Sequence, residues 1–248
     1  MSHSTTGERS DKVWQTSALV ATYLEGVRGA IPLAQEQIDV LLRLIAAARP
    51  ERTLSFLDLG CGDGVLANAV LDRFPFATGV LADFSEPMLE AAGRRLAQHS
   101  SRAQYVHADY ASPDWVDSVK PFAPFDAVVS GYSIHHQPDR RKLGVYTEIY
   151  GLLAPGGVFV NVEHVASPSE WLAAVNDELF VDRLHAVHRD QTRAQVEANY
   201  YRRPDKAANI LAPVELQCQW LREIGFADVD CYLKIFELAV FGGRKAPY

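Results

Sequence analysis

Short apolar segments recur along the middle of the chain, and most end at a polar or small residue. Helical patterns separate them: Val65–Phe74, a helix that starts at Ser85, Pro113–Val119 and Asp139–Leu153. Continuous apolar runs are typical of strands buried on both faces of a parallel sheet. We therefore predict an α/β fold with five consecutive parallel strands: Leu54–Leu59, Thr78–Ala82, Gln104–Ala108, Phe125–Ser130 and Val158–Val162.

The flanking segments have other patterns. Residues 1–12 are polar and without periodicity, so we expect a disordered tail. The rest, 13–248, is predicted to be a single domain, with two helices, Val13–Gly26 and Pro32–Ala48, within its first part, 13–50. Residues 51–165 and 213–248 form the expected core. The core closes with the helix Val214–Ile224 and two strands, Phe226–Leu233 and Phe236–Gly242, which the short link at Lys234-Ile235 lets pair antiparallel.

The segment 166–212 is too long for an ordinary connection between core elements. It reads as two helices, Ser169–His188 and Gln191–Tyr201, and carries several histidines, arginines and tyrosines. We interpret it as a helical cap over a substrate site.

A glycine-rich loop follows the first strand. Its sequence, Gly60-Cys61-Gly62-Asp63-Gly64, lets the backbone turn sharply and lets a ligand lie against it. The helix that begins at Val65 directs free amide groups toward that ligand. The dinucleotide pattern G-x-G-x-x-G would need a glycine at position 65, so this spacing differs from it.

Acidic residues end the first three strands. Asp58 precedes the loop, and Asp83 follows the second strand, where a carboxylate accepts both hydroxyls of a bound ribose. Asp109 ends the third strand, where its side chain can cap a turn before Pro113. Ser85 is a good N-cap for the next helix.

These motifs together resemble the Rossmann-like, class I S-adenosylmethionine-dependent methyltransferases. The similarity rests on D-x-G-x-G-x-G from Asp58, D-x-S-x-x-M-L from Asp83, and the L-x-P-G-G phrase that includes Pro155-Gly156-Gly157. It implies a seven-stranded, mostly parallel sheet with a C-terminal antiparallel hairpin and helices on both faces. It also implies S-adenosylmethionine as cofactor and S-adenosylhomocysteine as product. In the resembled family the acid at the place of Asp109 bonds the adenine, which is the alternative to a turn cap for this residue. The N-P-P-Y sequence of base methyltransferases and the glutamate-rich loop of protein arginine methyltransferases are both missing, which favours a small-molecule acceptor.

The resemblance also indicates which residues hold the cofactor. Tyr23 and Arg28, ahead of the first strand, are placed to close over the loop, where Arg28 either binds a carboxylate or is a solvated surface residue. The other expected contacts come from the loop and from the ends of the next three strands: Asp58, Gly60, Cys61, Gly62, Asp83, Phe84, Met88, Ala108, Asp109, Tyr110, Ser130, Gly131 and Tyr132.

Three residues near the ends of the fourth and fifth strands are candidates for catalysis. His135 and His136 have side chains suited to a general base, if the acceptor is a hydroxyl. Glu163 is placed to orient one of them. The alternative is that this pair only packs and hydrogen-bonds.

Composition narrows the function further. A formal net charge of −7 gives no broad attraction to nucleic acid or to an anionic membrane. The three cysteines are scattered, without metal spacing, and we expect reduced thiols in a cytoplasmic protein. The sequence contains no apolar run of 18 residues, so we do not expect a membrane span. No metal site is expected, and a homodimer is compatible with the sequence.

Three alternatives stay open at this point. The layout also resembles the carboxy-S-adenosylmethionine synthase branch, in which a cap arginine binds the added carboxylate; the candidates are Arg189, Arg193, Arg202 and Arg203. A protein that binds S-adenosylmethionine without catalysis is the second alternative. An NAD-dependent oxidoreductase is the third, and the glycine spacing and terminal hairpin disfavour it.

Overall fold

The computed structural model describes residues 9–22, 28–49 and 53–247. Its seven strands form one sheet in the order β3-β2-β1-β4-β5-β7-β6. The strands are β1 (Thr53–Leu59), β2 (Phe76–Asp83), β3 (Ala103–His107), β4 (Phe125–Gly131), β5 (Leu153–His164), β6 (Ala227–Ile235) and β7 (Leu238–Arg244).

Six of the seven strands run in the same direction, and β7 is antiparallel to both of its neighbours. β1 pairs with β2 and β4 in parallel, whereas β7 lies antiparallel between β5 and β6. This confirms the predicted fold class, including the terminal hairpin. The hairpin link is Phe236-Glu237, so the expected turn at Lys234-Ile235 is wrong by two residues, because both residues continue the ladder of β6.

Helices cover both faces of the sheet. In chain order they are α1 (Ser17–Thr22), α2 (Ala34–Ala48), α3 (Val65–Arg73), α4 (Glu86–Arg95), α5 (Trp115–Val119), α6 (Asp139–Leu152), α7 (Glu170–Val187), α8 (Arg193–Tyr201), α9 (Pro204–Ala207) and α10 (Val214–Ile224). One buried cluster joins α6 and α10 to the sheet through Tyr146 and Leu221, and another joins α2 and α3 through Leu41 and Leu66. A smaller cluster holds the cap together around Phe180 and Tyr200.

The start of the described chain differs from the expectation of a disordered tail over 1–12. Residues Ser10–Gln15 form a 3₁₀ helix, and Asp11 is buried. The physical reason is tertiary: Arg9 and Asp11 form ion pairs and hydrogen bonds with residues about a hundred positions away, which no local pattern shows. Residues 1–8 lie outside the described residues.

Gly242 lets the terminal hairpin approach β5 closely. A Cβ atom at this position would lie 2.0 Å from the backbone oxygen of Phe159 in the paired strand. We expect Gly242→Ala to cost about 3 kcal/mol and to lower Tm by roughly 5–10 °C, since the backbone must shift. Gly93→Ala is the matched control, because no atom lies within 4 Å of a Cβ there and alanine favours α4. Thermal unfolding of the two variants checks this, and equal melting temperatures would contradict it.

Candidate functional site

A cavity opens at the carboxyl ends of β1, β2 and β4, beneath the cap. Its wall includes the glycine-rich loop, the N-terminal 3₁₀ helix, α2 and residues of the cap. Parallel sheets bind ligands at this edge, where the strand order reverses between β1 and β4. The sequence therefore predicted the place of the cavity correctly.

The glycine-rich loop forms the floor of the cavity. Gly60 has a φ of +66°, and a Cβ there would lie 1.9 Å from Ser133 Oγ, so only glycine fits. Gly62 has a φ of +53° with only Met88 Sδ near its missing Cβ, which leaves room for a ligand on its cavity side. The buried carboxylate of Asp58 accepts a hydrogen bond from the backbone N–H of Ala67 in α3, at 3.0 Å, which ties the loop to the helix.

Asp83 presents a buried carboxylate to the cavity. Its two oxygens accept 2.8 Å hydrogen bonds from the backbone N–H groups of Gly62 and Ser85. Burial raises the pKa of Asp83 to about 6, although these N–H donors oppose the shift. A carboxylate held this way has lone pairs left for two adjacent hydroxyls, so the site fits the ribose of an adenosine-containing cofactor.

Most of the expected cofactor contacts do line this cavity. They are Asp58, Gly60, Cys61, Gly62, Asp83, Phe84, Met88, Tyr110, Gly131 and Tyr132. Burial raises the pKa of the Cys61 thiol well above its ordinary range, which fits a packing role better than a nucleophile.

Five expected residues lie elsewhere or outside the described structure. Ala108 and Ser130 are buried but do not line the cavity, and Ser130 Oγ donates to the backbone oxygen of Leu59. The carboxylate of Asp109 accepts hydrogen bonds from Arg9 Nη1 at 2.5 Å and from the backbone N–H of Ala111 at 3.0 Å, so it caps a turn, and the adenine contact stays a prediction. Tyr23 lies outside the described residues, and so does the side chain of Arg28.

The segment Arg9–Gln15, which we call the N-terminal strap, is a part of the site that the sequence did not reveal. Asp11 and Trp14 line the cavity. Asp11 accepts a hydrogen bond from Gln137 Nε2 at 3.0 Å, and Ser85 Oγ donates to the backbone oxygen of Trp14 at 2.6 Å. The strap therefore joins the Asp83 side of the cavity to the histidine side.

His135, which follows β4, and Glu163, near the end of β5, form a buried pair. His135 Nδ1 lies 2.5 Å from Glu163 Oε1, and the ring of His135 lines the cavity. Glu163 also accepts the backbone N–H groups of His135 at 3.1 Å and of His164 at 2.8 Å. A group that receives these N–H donors is best satisfied as a carboxylate, so we assign the bridging proton to His135 Nδ1. This leaves Nε2 as the basic nitrogen.

Burial shifts the protonation of both partners. It lowers the pKa of His135 well below its usual value and raises the pKa of Glu163 to about 7. His135 is therefore neutral near pH 7, as a general base must be before it accepts a proton.

His136 is chemically different from its neighbour. Its Nε2 accepts the indole N–H of Trp14 at 3.0 Å, and its Nδ1 donates to the backbone oxygen of Ala208 at 3.3 Å. An indole only donates and a carbonyl only accepts, so these partners fix one neutral tautomer. Burial lowers the pKa of His136 to about 3. The geometry thus favours a positioning role for His136 over the base role that the sequence allowed equally.

Tyr132 stands on the wall in a strained conformation. Its φ is +50°, which is uncommon for a residue with a side chain. The hydroxyl of Tyr132 donates to Gln37 Oε1 at 2.6 Å, and Gln37 Nε2 donates to the backbone oxygen of Pro32. The ring is thereby fixed between the sheet and α2.

The cap forms one part of the cavity wall. It contributes Phe180 from α7, Tyr200 from α8, and Arg203, Asp205, Lys206 and Asn209 from the segment around α9. Of the four candidate carboxylate-binding arginines, Arg203 is the one among these lining residues. Arg193 is bound by Glu178 and Asp182, and Arg189 and Arg202 are exposed.

His164 is a further cavity residue beside His135, with ring centroids 5.6 Å apart. Its Nε2 donates to Glu237 Oε2 at 2.9 Å, and its Nδ1 accepts from Asn209 at 3.3 Å. The sequence alone gives His164 no role, because Glu237 and Asn209 are distant from it along the chain.

In the parts of the chain that the structure describes, there is no group of three or more potential side-chain ligands for a metal ion. Within those same parts, no helix is long and apolar enough to cross a membrane.

Comparisons with known proteins agree with this geometry. A family model described as a methyltransferase domain matches residues 56–157. An uncharacterized methyltransferase of Mycobacterium tuberculosis is 38% identical over 122 residues, which cover 49% of this chain and 56% of that protein. The chain thus matches just over half the length of this relative.

Two further similarities extend over most of the chain. A carboxy-S-adenosyl-L-methionine synthase of Desulforapulum autotrophicum is 27% identical over 229 residues, 90% of this chain and 87% of that protein. The structure of an O-methyltransferase family protein from Burkholderia thailandensis superposes with a TM-score of 0.62 at 21% identity, over 87% of this chain and 57% of the other. The structural likeness shows the shared fold.

Proposed function

We propose that this chain, which carries a methyltransferase domain of the Rossmann-like, class I type, is an enzyme. It transfers a methyl group from S-adenosylmethionine to the hydroxyl of a small molecule. S-adenosylhomocysteine is the other product. The observation that carries the proposal is that His135, which is hydrogen-bonded to the buried Glu163, lines the same cavity as Asp83 and the glycine-rich loop. One cavity thus offers a cofactor site and a base.

The chain holds the cofactor mainly through β1, β2 and their loops. Asp83 accepts the ribose hydroxyls, while Gly60 and Gly62 let the backbone lie close to the ligand. Phe84 and Met88 supply apolar contacts from the start of α4. S-adenosylmethionine supplies an already activated methyl group on a sulfonium, so the protein mainly aligns donor and acceptor.

The His135–Glu163 pair handles the acceptor proton. His135 Nε2 takes the proton from the acceptor hydroxyl, and the carboxylate of Glu163 stabilises the imidazolium that results. Trp14 and Ala208 keep His136 neutral beside it, so the two rings, 4.0 Å apart, do not both carry charge.

A carboxy-S-adenosylmethionine synthase-like activity is the second candidate. The similarity to such an enzyme over 90% of this chain favours it. Against it, the cavity-lining arginine of the cap, Arg203, is already paired with Asp205. A cytoplasmic location and a homodimer are part of the same proposal, and the acidic net charge supports a small-molecule acceptor.

The cofactor assignment is tested directly by ligand release and calorimetry. We expect mass spectrometry of the denatured, freshly purified protein to find S-adenosylmethionine or S-adenosylhomocysteine, and calorimetry to show binding of both. NAD is the control ligand and is not expected to bind. A carboxylated form of the cofactor would favour the synthase-like function, and binding of NAD with no binding of S-adenosylmethionine would contradict both.

A further inference from the structure

A lysine on α6 is completely buried. Lys142 has no exposed surface, and its ammonium donates to Asp139 Oδ1 at 2.7 Å and to the backbone oxygen of Ile210 at 2.5 Å. A cation is costly to remove from water, so lysines are rarely buried without a specific partner or function. Asp139 is half exposed, so this ion pair alone does not require the ammonium to lie inside the protein.

Ile210 connects this ammonium to His135. The backbone N–H of Ile210 donates to the backbone oxygen of His135 at 3.0 Å, while the carbonyl of Ile210 accepts from Lys142. Ala208, two residues earlier, accepts a hydrogen bond from His136 Nδ1 with its backbone oxygen. Lys142 therefore holds the segment 208–210, which contacts both histidines.

The charge of Lys142 also acts on the His135–Glu163 pair. Burial raises the pKa of Glu163 to about 7, and the positive charge of Lys142 opposes that shift. For His135, burial and the charge of Lys142 both lower the pKa. The cation thus favours one state of the pair, in which Glu163 is a carboxylate and His135 is neutral. That is the state from which His135 accepts a proton.

Other titratable groups around the pair do not supply such a charge. They come from β5, α6 and the segments that follow β3 and β4: His164, Tyr146, Tyr110 and His136. Burial raises the pKa of both tyrosines well above the ordinary value and lowers the pKa of His136 to about 3, so these three groups are neutral at pH 7. His164 donates through Nε2 and accepts through Nδ1, as a neutral ring does. Of these described groups around Glu163, Lys142 therefore supplies the full positive charge.

We propose that Lys142 is a positioning residue for the general base, which holds the segment 208–210 against His135 and whose positive charge keeps Glu163 ionised. The inference rests on the proposed function, since it concerns the base of the same site. It also accounts for the burial of the ammonium, because a charge in water is screened and acts much less on Glu163. Without this charge, more of Glu163 is protonated at neutral pH and does not stabilise the imidazolium of His135.

An NMR titration of Glu163 tests the role of the charge. The protein is isotope-labelled at the carboxyl carbons of glutamate and saturated with S-adenosylhomocysteine, and the signal of Glu163 is the one that disappears in Glu163→Gln. We expect a pKa of about 7 in the wild type. Lys142→Met keeps the length of the side chain and loses the charge. It should decrease the acid dissociation constant of Glu163 by about three- to tenfold, because no nearby cation favours the carboxylate.

Two further lysine variants are the controls. Lys142→Arg keeps the positive charge, so the titration of Glu163 should return close to that of the wild type. Lys120 is an exposed lysine after α5, and Lys120→Met should leave the titration unchanged. A lysine that only held the segment 208–210 would not give this dependence on charge.

Asp139→Asn gives a second measurement that leaves the buried site intact, since Asp139 is half exposed. It removes the negative charge that is paired with Lys142, so the ammonium acts more strongly on Glu163. The acid dissociation constant of Glu163 should therefore increase by about twofold, opposite to the change in Lys142→Met. A general loosening of the structure would change both variants in the same direction.

Two results overturn this inference. One is an unchanged titration of Glu163 in a folded Lys142→Met protein. The other is an Asp139→Asn protein in which the acid dissociation constant is unchanged or smaller, and this result decides the matter if Lys142→Met does not fold. Failure of S-adenosylhomocysteine to bind the wild type would instead contradict the proposed function. The titration is then carried out on the unliganded protein, so the two failures are distinguishable.

Discussion

His135→Ala lowers kcat for methyl transfer by about 100- to 10,000-fold, with little change in the affinity for S-adenosylmethionine. This is the range that a positioned general base contributes to proton transfer. His135 lines the cavity but is not among the residues proposed to hold the cofactor, which are Asp83 and those of the glycine-rich loop. Release of S-adenosylhomocysteine gives kcat, and calorimetry gives the cofactor affinity.

Glu163→Gln tests whether the pair acts as a unit. Because the pKa of Glu163 is raised to about 7, the carboxylate is lost as the pH falls below 7. We therefore expect the kcat of the wild type to rise between pH 6 and pH 8. In Glu163→Gln that rise should disappear and kcat should be lower throughout, since no carboxylate stabilises the imidazolium.

His188→Ala is the matched histidine control for both variants. His188 ends α7 and is not among the residues that line the cavity. Its kcat should equal that of the wild type. If His135→Ala kept the wild-type kcat, alignment of donor and acceptor alone would account for the rate, and the pair would serve only to hold the end of β5 against residues 134–136.

The core of this fold could be predicted from the sequence because its signals are local. Apolar runs, an acidic residue at a strand end and three glycines specify β1, β2 and their loops within about thirty residues. The N-cap role of Ser85 is confirmed in the same way, since Ser85 Oγ accepts the backbone N–H of Met88. Each of these features depends on neighbours along the chain.

The rest of the site depends on contacts between distant residues. Arg9 and Trp14 attach the strap to the domain by hydrogen bonds to Asp109 and His136. Nothing in the polar sequence of the strap indicates those partners. For the same reason the sequence could not separate His135 from His136. They are adjacent and of one type, and only Glu163 on one side and Trp14 on the other give them different chemistry.

The cap shows a third kind of limit. The predicted ends of its two long helices lie within two residues of the observed ends. The sequence did not indicate which of the four arginines faces the cavity. Arg203 and Asp205 are only two positions apart along the chain, but their pairing affects the site because the fold brings both side chains to the cavity. A pattern of charges thus predicts that a helix has a polar face. It does not show whether that face lines the cavity or lies in solvent.

Asp83→Ala weakens the binding of S-adenosylmethionine by about 100-fold. Two hydroxyl hydrogen bonds to a charged acceptor contribute roughly 3 kcal/mol together, and each 1.4 kcal/mol is a factor of ten in Kd. Asp83→Asn should show a similar loss, because an amide cannot accept from Gly62, Ser85 and two hydroxyls at once. Calorimetry measures the affinities, and thermal unfolding shows that each variant is folded.

Asp109→Asn is the control that separates two assignments. The carboxylate of Asp109 is engaged by Arg9 and is not among the residues that line the cavity, so we expect a far smaller loss of affinity than at Asp83. An equal loss at both positions would restore the adenine contact that the sequence indicated for Asp109.

The pH dependence of binding gives a second test of Asp83. With a pKa of about 6, its carboxylate is charged at pH 7.5 and increasingly protonated below pH 6. A protonated carboxyl is a weaker acceptor for the ribose hydroxyls, so the affinity of the wild type should fall as the pH is lowered from 7.5 to 5. Asp83→Asn has no such group, and its weaker binding should stay nearly constant over the same range. A wild-type affinity that does not change with pH would mean that Asp83 does not carry the ribose contact.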